Sequence, residues 1–286
     1  MPFPSLLRRL PPTLAALATL AVLLPSAATP ASADPAARPS RVGHVQAAAT
    51  RPTVVLVHGA WADASSWSGE IERLQRAGYV ARAVPNPLRG LTTDAATVAG
   101  FLATITGPVV LVGHSYGGAV ITNAAAGNPN VKALVYVDAF VPDVGEAATS
   151  LTGAGSVLAA DPATVFDFAP YPGAPAGDAD LYLKRSVFLD SFASDLPGRA
   201  ASVLWATQRP AAASGLATPS AAAAWKIIPS WYLLGTEDTV ITPAEQLFMA
   251  RRAHARIVRV AASHVSLVSH PVEVTSLIVS AARSVH

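Results

Sequence analysis

Three residues far apart in this chain of 286 residues could together do nucleophilic chemistry. They are Ser115 in "VVLVGHSYGGAV", Asp238 in "LLGTEDTVITP" and His264 in "VAASHVSLVSH". A serine hydroxyl is a weak nucleophile. It needs a base within hydrogen-bond reach, and the base needs a third group to orient it. Around Ser115 the pattern is G-x-S-x-G, here Gly113-His114-Ser115-Tyr116-Gly117. Glycines on both sides let a strand and a helix meet at a sharp turn, with the serine at its tip. The helix that starts there aims its N–H groups and dipole at the same point, which favours an oxyanion.

Seven histidines are available as the base. His264 follows the predicted strand "RIVRV" and is preferred. His270, before Pro271, leads into the last helix and is the alternative. His254 lies among arginines and reads as solvated, and His114 reads as packed inside the turn. For the acid, Asp238 follows a predicted strand, with Glu237 beside it. Asp138, after "ALVYV", occupies a second strand end and stays open as the alternative. The chain order Ser115, Asp238, His264 suits a sheet that presents all three on loops at one edge. "HGAW" (58–61) follows the first ordered strand, and an N–H of that loop would join that of Tyr116 on an oxyanion. Ala60 is the first choice of donor and Trp61 the second.

The elements that must hold these residues alternate. "TVVLV" (53–57), "VARAV" (80–84), "PVVLVG", "VKALVYVDAF" (131–140), "IPSWYLLG" and "RIVRV" read as strands. The continuous β-branched runs among them suit strands covered on both faces. Between them lie helical stretches, such as "SSWSGEIERLQRAGY" with Trp67, Ile71 and Leu74 at helical spacing. This predicts an α/β fold, a mostly parallel sheet flanked by helices. The alternation breaks from about 142 to 225, an Ala- and Pro-rich stretch with aromatic-dotted helical pieces. It is expected to be a helical cap inserted into a domain spanning 51–286.

Composition bounds the rest. At 51% hydrophobic residues the chain can bury a large core. It has no cysteine, which excludes disulfides, a thiolate nucleophile and a Cys-based zinc site. The formal net charge of +2 includes Arg8 and Arg9. These precede the apolar run "LAALATLAVLL" (14–24) and an A-x-A pattern at Ala31 and Ala33, the three parts of a secretory signal. Residues 1–33 are expected to be a signal peptide cleaved after Ala33, and 34–50 a flexible lead-in, so the protein is expected to be secreted. The apolar run is short for a membrane anchor. Without the leader the chain is near neutral and has no basic runs, which argues against nucleic acid as a partner.

In its motifs the chain resembles the α/β-hydrolase-fold serine hydrolases. "VVLVHGAWADASSW", "PVVLVGHSYGGAVI", "VKALVYVDAFVPD", "PSWYLLGTEDTVI" and "ASHVSLVSHP" occur in that family's order. The likeness is greatest to bacterial secreted esterases akin to plant methyl-salicylate esterases and hydroxynitrile lyases. It spans about residues 51–284 and is weakest in the insertion. The resemblance implies Ser115 as nucleophile, His264 as base, Asp238 as acid, and Ala60 and Tyr116 as backbone oxyanion donors. It implies no metal and no organic cofactor. Trp61, His114 and Phe140 are expected to face substrate. The function implied is cleavage of a small apolar or aromatic carboxylic ester through an acyl-enzyme. Lactonase, amidase and hydroxynitrile lyase activities could use the same residues. A lyase would want a lysine near the site, from Lys184 or Lys226. A non-catalytic small-ligand binder on the same fold is the reading from another class.

Overall fold

The structure is a computed structural model that describes residues 51–285. The expected signal peptide and lead-in, and His286, lie outside the described residues. Strand β1 (Thr53–Val57) is followed by a 3-10 turn and helix α1 (Ser68–Arg76), then β2 (Ala81–Val84) and α2 (Leu91–Leu102). Next come β3 (Val109–His114), α3 (Tyr116–Ala124) and β4 (Val131–Val137). After a long excursion the alternation resumes with β8 (Ser230–Gly235), α5 (Pro243–Arg252), β9 (Arg256–Val260) and α6 (Pro271–Arg283). The excursion itself holds β5 (Phe166–Ala169), β6 (Asp180–Leu183), α4 (Gly198–Thr207) and β7 (Ala211–Ala212).

Six strands form one sheet in the order β2-β1-β3-β4-β8-β9, every pairing parallel. All six residues of β3 are buried, as its unbroken apolar run requires of a central strand with both faces covered. The edge strand β9 is half-exposed and carries Arg256 and Arg259, charges that discourage edge pairing. Helix α3 is buried over most of its length, and its Gly and Ala residues let it lie close to the sheet. The register aligns the strand ends: Val57 with Gly113, Gly113 with Tyr136, Val137 with Leu233 and Gly235 with Val260. The loops after β1, β3, β4, β8 and β9 therefore leave one edge of the sheet. That edge is where open parallel sheets bind their ligands.

The cap is not purely helical. Besides short helices it contains an antiparallel sheet, β5-β6-β7, that pairs Phe168 with Leu181 and Asp180 with Ala212. Strands of four, four and two residues are too short to show a period, so local pattern hides them. This sheet is tied down on the main sheet's loops. Trp61 Nε1–H donates to Leu181 O at 2.8 Å, Ala212 N–H to Leu88 O at 3.0 Å, and Arg89 pairs with Asp180 at 2.5 Å. No described helix is long and apolar enough to cross a membrane.

Candidate active site

Ser115 stands between β3 and α3 with φ 52° and ψ −126°, a strained conformation for a residue with a side chain. Hydrogen bonds hold it there: its N–H reaches Val137 O at 3.2 Å, and its carbonyl accepts from Gly118 at 2.9 Å and Phe140 at 3.1 Å. Both flanking glycines are required by close backbone approach. A Cβ on Gly113 would lie 2.6 Å from Gly117 O, and one on Gly117 would lie 2.5 Å from Val57 O.

The loop after β9 delivers His264 to this serine. Ser115 Oγ–H donates to His264 Nε2 at 2.8 Å, and His264 Nδ1–H donates to Asp238 Oδ2 at 2.7 Å. Both His264 and Asp238 are buried. Burial pulls the imidazole down to about 3, so at rest it is neutral and able to accept a proton. Asp238 is pushed up by burial, but backbone donors at Val240 and Ile241 and the Gln246 side chain pull it back. The Val240 and Ile241 N–H groups meet Oδ1 at 2.7 and 3.0 Å, so the loop itself orients the carboxylate.

Asp138 has another task. Its Oδ1 accepts from Gly235 N–H at 2.9 Å, and its Oδ2 accepts from the Ser266 backbone at 3.2 Å and from the Ser266 hydroxyl. It thus joins the ends of β4 and β8 to the loop of His264 without making a hydrogen bond to the imidazole. Burial raises its pKa, and the neighbouring Asp238 charge adds to that. His270 N-caps α6 by position, and its Nδ1 accepts from Ser269.

The loop after β1 is shaped by His58. Its Nδ1–H donates to Gly59 O at 2.9 Å, and its Nε2 accepts from Asn86 N–H at 2.9 Å. Burial lowers it to about 4, which keeps this neutral tautomer. Trp61 N–H is committed to Arg209 O in the cap at 3.0 Å. Among the described residues no acceptor takes the N–H of Ala60 or Tyr116. Of the two donors considered in the loop, Ala60 is therefore the one left free.

Ser115, Ala60 and Tyr116 open into a cavity of about 360 Å³ under the cap. Trp61 and Phe140 line it. His114 does not, which corrects the expectation that it faces substrate. It is fully buried at the end of β3, and its Nε2–H donates to His264 O at 2.8 Å, so it props the loop of His264 from behind. Of the cap aromatics, Phe166 and Phe168 line the cavity. Phe188 is buried against Phe192, with ring centroids 4.6 Å apart, and Phe192 packs on the His264 ring with centroids 5.1 Å apart. Gln246 and the Asp195–Ser263 contact beside His264 escaped the sequence reading. A glutamine inside a helix and an aspartate in the cap carry no local signal of a partner that distant in sequence. Among the described residues no group of three or more His, Cys, Asp or Glu side chains is placed to hold a metal ion.

Comparison with known proteins agrees with this architecture. Residues 54–277 match the Alpha/beta hydrolase family. The chain is 30% identical over 258 residues to the alpha/beta hydrolase nvfD of Aspergillus novofumigatus, covering 81% of this chain and 97% of that one. It is 34% identical over 110 residues to a carbendazim hydrolyzing esterase of a Nocardioides species, covering 34% of this chain and 46% of the esterase. Among solved structures, an extracellular alpha/beta-hydrolase from a Paenibacillus species superposes with a TM-score of 0.67 at 23% identity, over 80% of this chain and 98% of that one. That hydrolase is described as sharing structural and functional homology with tobacco salicylic acid binding protein 2. The parallel sheet, the strand-to-helix turn at Ser115 and the match over most of the ordered chain converge: the protein belongs to the alpha/beta hydrolase family.

Proposed function

We propose that the protein is an exported serine hydrolase that cleaves uncharged carboxylic esters. The observation that carries this reading is the hydrogen-bonded line Ser115–His264–Asp238, opening beside two free N–H groups. In this reaction His264 Nε2 takes the Ser115 proton as Oγ attacks the ester carbonyl carbon. The carbonyl oxygen becomes an oxyanion facing the Ala60 and Tyr116 N–H groups. Collapse of the intermediate breaks the bond to the alcohol oxygen, which leaves with the proton from His264. A water then gives its proton to His264 and attacks the acyl-enzyme, and the acid departs as Ser115 recovers its hydrogen. Asp238 orients the imidazole and stabilises it when it is charged.

The cavity supports this substrate class. Phe166, Phe168, Leu181, Leu216 and Val240 line it, and no Asp, Glu, Lys, Arg or His side chain does so among the described residues. An uncharged ester with an apolar or aromatic group suits such walls, because a charged group would lose its hydration there without gaining a partner. The esterase relative from Nocardioides supports ester cleavage. The lyase alternative is disfavoured, since Lys184 pairs with Asp167 and Lys226 with Asp143, and none of the four lines the cavity. Export rests on the leader pattern at residues 1–33.

Intact-mass measurement with a fluorophosphonate tests the reading without a choice of substrate. One adduct on the wild type and none on Ser115→Ala is expected, with a mature chain beginning at Asp34. A folded wild type that takes no adduct would overturn the nucleophile and favour the ligand-binder reading.

A further inference from the structure

Gln246 projects from α5 and is fully buried. Its Nε2 donates to Asp238 Oδ2 at 2.7 Å and to Ile241 O at 2.9 Å, which uses both amide hydrogens. Its Oε1 is also buried and has no hydrogen-bond partner among the described residues. Turning the amide over would not remedy this. It would set Oε1 against a carboxylate oxygen and a carbonyl oxygen, acceptor facing acceptor twice. The side chain therefore keeps its donors on Asp238 and leaves its own oxygen unsatisfied, a buried cost accepted in favour of the carboxylate.

Oδ2 is the same oxygen that accepts His264 Nδ1–H at 2.7 Å. Two donors thus share one carboxylate oxygen. We propose that Gln246 is a positioning residue: by donating to the oxygen that orients His264, it fixes the rotation of Asp238 and moderates how strongly Asp238 holds the imidazole. The proposal rests on the serine hydrolase reading above. A donor on an anion draws charge toward itself. Without it, Oδ2 becomes the stronger base, and both Asp238 and His264 keep protons to higher pH. The other carboxylates acting on Asp238 are Asp138 at the end of β4 and Asp195 in the cap, and neither hydrogen-bonds to Gln246.

The test is the rate of fluorophosphonate labelling of Ser115 against pH, for the wild type, Gln246→Met and Gln246→Glu. Gln246→Met keeps the length and volume and removes the donor. Its acid limb is expected to rise by about half to one pH unit, with a plateau lower by roughly tenfold. Gln246→Glu can donate while protonated and repels Asp238 once ionised. Its labelling is expected to fall on the alkaline side, where the wild type holds its rate. A lower plateau in Gln246→Met with an unshifted acid limb would mean a packing role only and overturn the proposal. If that variant does not fold, a wild-type alkaline limb in Gln246→Glu does the same. A wild type that takes no label overturns the nucleophile reading instead, which separates the two failures.

Discussion

Asp138 and Asp238 stand at the ends of adjacent parallel strands, and only Asp238 hydrogen-bonds to His264. Asp138 spends its acceptors on Gly235 and Ser266. Asp238→Asn is therefore expected to lower kcat by roughly 10³–10⁴-fold, because an amide NH2 facing Nδ1 selects the wrong tautomer of the imidazole. Asp138→Asn places an NH2 against one of two donor sites and is expected to destabilise by about 1–3 kcal/mol. Its kcat per folded molecule should stay within tenfold of the wild type. Denaturation curves and active-site-titrated kinetics of both variants decide this, and the reverse ranking would make Asp138 the working acid.

Trp61 binds the cap twice, through its N–H to Arg209 O and its Nε1–H to Leu181 O. Trp61→Phe keeps an aromatic ring, though a smaller one, and removes the second link. Leu181 O then loses a donor, at a cost of about 1 kcal/mol. Since Trp61 and Leu181 both line the cavity, KM for an apolar ester should rise roughly two- to tenfold while kcat changes little. An unchanged KM would mean that the remaining ties, Trp61 N–H to Arg209 O, Ala212 N–H to Leu88 O and Arg89 to Asp180, suffice to hold the cap in place.

Phe166 is stacked on Trp61 with centroids 5.6 Å apart and forms part of the cavity wall. Phe166→Ala should favour bulkier esters, raising the bulky-to-small ratio of kcat/KM by about tenfold or more. It should also cost roughly 3–5 kcal/mol of stability if the space does not collapse. A panel of esters graded in size reads the first effect. An unchanged ratio would place the substrate's variable group elsewhere in the cavity.

Glu70 on α1 is fully buried with neither carboxylate oxygen partnered among the described residues, and burial raises it to about 8. The folded state therefore binds this proton more tightly than the unfolded chain does. Its linked contribution to stability is intact below the unfolded value near 4.5 and declines as pH rises toward about 8. Glu70→Gln should remove that decline, with a gain over the wild type of roughly 3 kcal/mol at neutral pH that shrinks toward pH 4. Urea denaturation at several pH values measures it. A gain independent of pH would mean that the glutamate is paired and ionised in the folded protein.

Much of the architecture is legible in the sequence itself. The β-branched runs at 53–57 and 109–112 require strands covered on both faces, and the helical spacing between runs requires crossovers, so a parallel sheet follows from local pattern. The turn at Ser115 is legible for a similar reason, since Gly113 answers a steric demand from Gly117 within five residues, although the demand on Gly117 comes from Val57 on β1. Strand ends also marked where Asp238 and His264 had to lie. Tertiary structure alone decided between acids on neighbouring loops, because Asp138 and Asp238 differ in which donors the register brings to them. It alone committed the Trp61 N–H to Arg209 and left that of Ala60 open, a pairing across nearly 150 residues of chain. The cap sheet, the place of His114 behind His264 and the amide of Gln246 on Asp238 are of the same kind. Local sequence records steric and periodic requirements over a few residues. Hydrogen bonds between distant segments depend on how the whole chain closes, and no short pattern carries them.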